Sequence, residues 1–164
     1  MNIAFRDAVI HQADLLSDLA ITSKGYWGYP QAQLEIWRKD LRVEESYLEE
    51  NLVQTVSVND ELAGFFAIKH EDEGYVLDHL WLLPDMVGRG LGRLSFQRIE
   101  KLCMDAGIIE FTIVADPNAE GFYLAQGAVK IGEVESVPQG RMLPKPRYRI
   151  SQNQTAEQVV ALNR

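Results

Sequence analysis

Leu80–Arg93 reads LWLLPDMVGRGLGR. An apolar stretch ends at Pro84, a short polar turn follows, and glycines then occupy every second position: Gly88, Gly90 and Gly92. From Leu94 to Ala106 apolar residues recur at helical spacing, so the segment is predicted as strand, loop and helix. Glycine lets backbone N–H groups come close to a bulky anion. A helix start adds unpaired donors and the positive end of the helix dipole. The segment therefore describes a cradle for a pyrophosphate.

Two common phosphate loops do not fit. A Walker A loop needs G-x-x-x-x-G-K-[ST], and Gly88–Ser95 has no Lys-Ser/Thr pair. A Rossmann fingerprint needs G-x-G-x-x-G directly after a strand. Counted from Gly88 its third glycine falls on Arg93, and counted from Gly90 it falls on Ser95. The acidic residue expected about 20 positions on would be Glu110, which opens the next predicted strand instead of closing it.

The segment resembles motif A of the GNAT acyltransferase superfamily, [QR]-x-x-G-x-[GA] after a strand that ends in proline. Gly90 and Gly92 take the small positions, Pro84 takes the proline, and Leu80, Trp81 and Leu82 form the strand end. Val87 departs from the Gln or Arg of the motif. Downstream, ADPNAEGFYLAQG (residues 115–127) is similar to motif B, N-x-x-x-F-Y-x-x-x-G, through Asn118, Phe122, Tyr123 and Gly127. The resemblance is closest over residues 62–137. Residues 1–150 more loosely resemble a bacterial branch that carries Ser23, Lys24, Trp27, Gly28 and Tyr29, and later Gly140, Arg141, Leu143 and Pro144.

The resemblance implies an N-acyltransferase that moves an acetyl group from acetyl-CoA to a primary amine by direct attack. A non-catalytic acyl-CoA sensor on the same scaffold is the alternative. The pantetheine arm would run along the backbone of Leu80, Trp81 and Leu82. The pyrophosphate would rest on Val87, Gly88, Arg89, Gly90, Leu91, Gly92 and Arg93, with Asn118 and Phe122 nearby. Tyr123 is the candidate acid for the departing thiolate, or else a packed tyrosine. Asn118 is either a pantetheine partner or a turn residue, and Asp116 is expected to act only as a local cap. The general base is Asp78 or His79, of which strand alternation should turn only one toward the acceptor. The resemblance puts Asp78 first, because the family often carries an acid nearby. The alternative for either residue alone is structural, a buried His or an Asp paired with Arg. Trp27, Tyr29 and Arg141 are candidates for the acceptor pocket, where Arg141 could bind a carboxylate or simply sit on the surface.

Composition sets the bounds. At 164 residues the chain is expected to be one acyltransferase domain over residues 1–150, followed by a polar tail over 151–164. The net charge of −8 argues against nucleic acid as a partner. No apolar run approaches a membrane span, and no secretory signal pattern opens the chain. A single cysteine, Cys103, excludes an internal disulfide and suits a reducing cytoplasm. No metal is expected, and a homodimer is compatible with the sequence. Arg89, Arg93, Arg98 and Lys101 are expected to gather positive charge at the loop and its helix. Glu44, Glu45, Glu49 and Glu50 form either an acidic wall for a cationic acceptor or a solvated helix face.

The remaining pattern predicts a strand over Ile3–Ala8 and a helix over His11–Lys24 with Ala13, Leu16, Leu19 and Ala20 inward. An aromatic turn over Gly25–Pro30 precedes helices over Gln31–Leu41 and Glu45–Asn51. Strands follow at Val53–Val58, Leu62–His70 and Tyr75–Leu83, the first two joined by an Asn59-Asp60-Glu61 turn. The helix Arg89–Ala106 should bury Phe96, Ile99, Cys103 and Ala106. A strand over Ile108–Ala115, a short helix ending at Gly127, and strands over Val129–Val137 and Arg141–Ile150 complete the pattern. The fold class is α/β (α+β): one GNAT-like domain with a mixed, mostly antiparallel sheet of about seven strands and helices on both faces.

Overall fold

A computed structural model describes residues 1–113, 115–135 and 141–150. The predicted strand end at Val137, Gly140 and the tail 151–164 lie outside the described residues. One sheet contains β1 (Ile3–Asp7), β2 (Leu52–Val58), β3 (Glu61–Glu71), β4 (Gly74–Leu82), β5 (Glu110–Ile113), β6 (Val129–Glu135) and β7 (Met142–Arg149). The order across it is β1-β2-β3-β4-β5-β7-β6. Every pair is antiparallel except β4–β5. The helices are α1 (Ala13–Lys24), α2 (Gln31–Trp37), α3 (Glu45–Glu50), α4 (Leu91–Ala106) and α5 (Glu120–Ala125). None is long and apolar enough to cross a membrane.

The sheet is covered on both faces, and β3 shows how. Phe65 and Ala67 pack with Leu16, Leu19 and Ala20 of α1 and Leu48 of α3. Phe66 and Ile68 pack with Phe96, Ile99 and Cys103 of α4. Alternate residues thus serve opposite layers, as the pleat requires. The predicted stripe of α1 is buried throughout. On α4, Phe96, Ile99 and Cys103 are buried but Ala106 is exposed. The helix ends there at Gly107 (φ 75°), and Ile108 returns to the core in its place. The β2–β3 turn needs only Asn59 and Asp60, both left-handed (φ 50° and 68°), which is the two-residue hairpin geometry.

Two irregularities of β4 position the site. First, Ala67 opposes His79 while Ile68 opposes Leu77, so Asp78 is an extra residue in the ladder, a β-bulge. Leu77 therefore faces α4 while His79, two positions on, packs against Tyr47 and Phe65 on the other face. Second, β4 pairs with β5 only at Val76↔Thr112 and Leu77↔Ile113, yet continues to Leu82. Beyond that point the chain after β5 turns to β7, where Ala115 N–H donates to Pro144 O at 3.3 Å. The sheet is parted between its two parallel strands.

Candidate functional site

The loop after β4 opens with a single tight turn over Pro84–Met86. Gly88 (φ 83°) and Gly90 (φ 81°) then take left-handed backbone angles. A Cβ at either would meet no neighbour, so it is the backbone angle that calls for glycine. Gly92 has a different reason: a Cβ there would sit 3.1 Å from the Phe122 ring, so its absence seats the first turn of α4 against α5. In α4 the first amide to find a backbone carbonyl is Leu94, on Gly90 O at 3.2 Å. Among the described residues, the amides of Gly88 to Arg93 donate to no backbone carbonyl. They form a run of donors at a helix N-terminus, a geometry suited to an anion.

A cleft of about 430 Å³ runs from this loop into the parted sheet. Leu80, Leu82, Val87, Gly88, Gly90, Gly92, Arg93 and Phe122 line one end, on the α4–α5 side. Ser23, Tyr26, Trp27, Asp78 and Trp81 line the other, on the α1 side. The opening between β4 and β5 thus connects the two faces of the sheet.

Tyr123 enters this cleft from α5. Its hydroxyl has no hydrogen-bond partner among the described residues, and burial raises its pKa, so it stays protonated at neutral pH. Asp78 lines the cleft from the bulge, and its Oδ2 accepts a 2.6 Å hydrogen bond from the Tyr47 hydroxyl. Burial, then the charge of Asp78, raises the pKa of Tyr47. His79 does not line the cleft. Its Nδ1 accepts from Trp81 Nε1 at 2.9 Å, and burial lowers its pKa, so it is neutral with Nε2 3.7 Å from Asp78 Oδ2. The bulge therefore corrects the strand-alternation argument: Asp78 and His79 share a face, and it is burial that separates them. The only cysteine in the sequence, Cys103, lies in the core, where burial pushes its thiol up to about 12. That removes it as a nucleophile.

Behind the α1 end lies a cluster that brings Tyr29 and Arg141 together, as a shared pocket would, but centres them on Asp116 and Lys24, whose pairing nothing in the sequence foretells. Asp116 accepts hydrogen bonds from Lys24 Nζ at 2.7 Å, Tyr29 OH at 2.8 Å and Asn118 N at 2.9 Å. The Tyr29 oxygen in turn accepts from Arg141 at 2.8 Å and Asn118 Nδ2 at 3.1 Å. The Trp37 ring lies 4.6 Å from Lys24 Nζ and 4.9 Å from the Arg141 guanidinium, within cation–π range. Burial lowers the pKa of Lys24. Burial also pushes Asp116 upward, but the hydrogen bond and charge of Lys24, with Asn118 and Tyr29, hold it below the usual carboxylate range. Asp116 is thus far more than a local cap. Tyr29 and Arg141 belong to this cluster rather than to the cleft wall.

Several other expectations move. Arg98 donates to Gln54 at 3.1 Å and lies over Phe5, away from the loop. Lys101 sits 3.7 Å from Asp105, which leaves Arg93 as the cation on the cleft wall and Arg89 exposed beside it. The Leu91 side chain is buried with Val58 and Ala63, so only its amide is offered to the loop. Glu44, Glu45, Glu49 and Glu50 form a solvated face. Asn118 reaches the cleft while bonding within the cluster. Ser23 enters the sequence reading only through the resemblance, Tyr26 only as part of an aromatic turn, and Tyr47, 31 positions from Asp78, carries no sequence signal at all.

The mixed sheet, parted at its parallel pair β4–β5 with the glycine loop at the mouth, matches the GNAT fold. Residues 23–143 match the GNAT acetyltransferase domain, and the chain belongs to that family. Its fold is similar to a GCN5-related N-acetyltransferase from Rhodopseudomonas palustris (TM-score 0.75, 22% identity, 91% of this chain and 96% of that one). It is also similar to PaiA N-acetyltransferase from Thermoplasma acidophilum in complex with coenzyme A (TM-score 0.68, 21% identity, 91% and 99%). An acetyltransferase from Thermus thermophilus has a TM-score of 0.65 at 23% identity, over 91% and 97% of the two chains. No curated protein matches the chain.

Proposed function

We propose that this protein transfers an acetyl group from acetyl-CoA to a primary amine by direct attack. The observation that carries the reading is the parted sheet: β4 runs on past Leu77 without β5, beside a loop of unpaired amides. The free edge of Leu80, Trp81 and Leu82 is suited to an extended amide-bearing arm, and the amides of Gly88 to Arg93 to the diphosphate at its end. The coenzyme A complex of the T. acidophilum relative supports coenzyme A as the acyl carrier here.

Asp78 takes the proton of the incoming ammonium, held toward the cleft by its bulge and by Tyr47. The freed amine forms a C–N bond to the thioester carbonyl as the C–S bond breaks. Tyr123 gives its proton to the departing thiolate. The proton shed by the amine nitrogen as the amide forms returns through water to the Tyr123 phenolate, and Asp78 releases its proton to solvent. With Cys103 in the core, no acyl-cysteine step is called on. The test is release of free CoA from acetyl-CoA over a broad amine panel. Amine-dependent release is expected; tight CoA binding without release for any amine would favour the sensor instead.

A further inference from the structure

The α1 end of the cleft has a composition that the loop end lacks. Tyr26 and Trp27 follow α1 on a tight turn closed by Gly28 (φ 82°). Their rings meet edge-on with centroids 4.9 Å apart, yet remain 47% and 41% exposed. Two large rings left this open on a cleft wall are not explained by packing within the chain. Ser23, one helical turn earlier, lines the same wall, and its Oγ is buried without a hydrogen-bond partner. A buried hydroxyl in that state is incomplete until something polar reaches it.

Charge narrows the choice. Asp78 is the carboxylate of this end whose oxygens are not saturated: Tyr47 bonds Oδ2, and its side chain is 34% exposed. Asp116, by contrast, is filled by Lys24, Tyr29 and Asn118. Among the described residues no lysine or arginine lines this end, because Lys24 is held on Asp116 and Arg141 on Tyr29. An acceptor carboxylate would find no counter-charge there, whereas an ammonium would find Asp78 and the faces of aromatic rings.

We infer that the acceptor is a primary amine carried on an aromatic frame without a carboxylate. The frame stacks at Tyr26 and Trp27, and the ammonium points to Asp78. The inference rests on the acyl-transfer reading for turnover, but binding tests it separately. Calorimetry on the full chain saturated with CoA compares phenethylamine, phenylalanine and n-butylamine. Phenethylamine is expected to bind at least about tenfold more tightly than either of the others. Trp27→Ala, on an exposed turn, should cut its advantage over n-butylamine below about threefold and leave CoA affinity within about twofold. Equal or tighter binding of phenylalanine or n-butylamine overturns the inference, as does no binding of any of the three. Parallel acetyl-CoA turnover separates the two readings. The expected binding order without CoA release keeps this inference and removes the catalytic one; release with no preference among the three does the reverse.

Discussion

On the loop side of the parted sheet, the amides of Gly88 to Arg93 have no backbone carbonyl to bond among the described residues. On the α1 side, Lys24, Tyr29, Asp116, Asn118 and Arg141 bond one another through a network centred on the buried Asp116 carboxylate. The loop is polar surface left unfinished, while the cluster is polar surface completed by the protein itself. Unpaired donors at a helix start are tolerable in water and gain when an anion arrives. A carboxylate as buried as Asp116 persists only with its partners in place. Charge and burial alone would have marked the cluster as the site; hydrogen-bond satisfaction marks the loop.

That contrast breaks most sharply at Gly90. Gly90→Glu places a side chain at φ 81° and a negative charge among the donors. The Kd for CoA should rise roughly 1000-fold, about 4 kcal/mol, by calorimetry. Gly90→Asn tolerates the left-handed angle and should keep binding within about tenfold. If Gly90→Glu still binds CoA, the loop is not the anion site. The opposite pattern is expected for Lys24→Met. It strips the ammonium from Asp116 and should cost about 3 kcal/mol in urea unfolding. The folded variant should still bind CoA within about threefold. A Lys24 variant of unchanged stability would mean that Asp116 does not depend on its partner.

The two regions were also unequally legible in the sequence, for the same physical reason. The loop is local: its glycines answer to their own backbone angles, and the helix that follows announces itself by period. Gly92 and Phe122, read as parts of separate motifs, turn out to be one contact. The cluster joins residues 87 to 112 positions apart, and nothing local to Lys24, Asp116 or Arg141 foretells their meeting. The bulge at Asp78 is equally silent. No glycine or proline marks it, and one extra residue moves Asp78 and His79 onto one face against the expected alternation. Arg98 and Lys101 looked like loop charge because they share a helix with Arg93; their side chains go to Gln54 and toward Asp105.

Tyr123 sharpens the comparison from within the cleft. Its hydroxyl, like the loop amides, has no protein partner among the described residues, so Tyr123→Phe removes no internal bond. Stability should be unchanged within about 0.5 kcal/mol. If the hydroxyl protonates the leaving thiolate, kcat should fall about 100-fold while CoA affinity holds within about twofold. An unaltered kcat would return Tyr123 to a packing role.

The smallest effect expected is at His79, which has the character of the cluster although it stands next to Asp78. Its Nδ1 is already filled by the Trp81 N–H, and burial opposes its charge, so the folded protein holds its pKa below the ordinary value. The unfolded chain takes up this proton near pH 6.5. The stabilisation is therefore complete above about pH 6.5 and is lost as pH falls from there toward the lowered folded pKa. One such group bounds the slope at about 1.4 kcal/mol per pH unit. Urea unfolding at pH 7, 6 and 5 should show this decline in the native chain. His79→Gln can keep an acceptor for Trp81 but cannot titrate, so it should flatten the decline between pH 6.5 and 5. An equally steep decline in the variant would place the proton elsewhere, and His79 would lose its standing as a neutral prop behind Asp78.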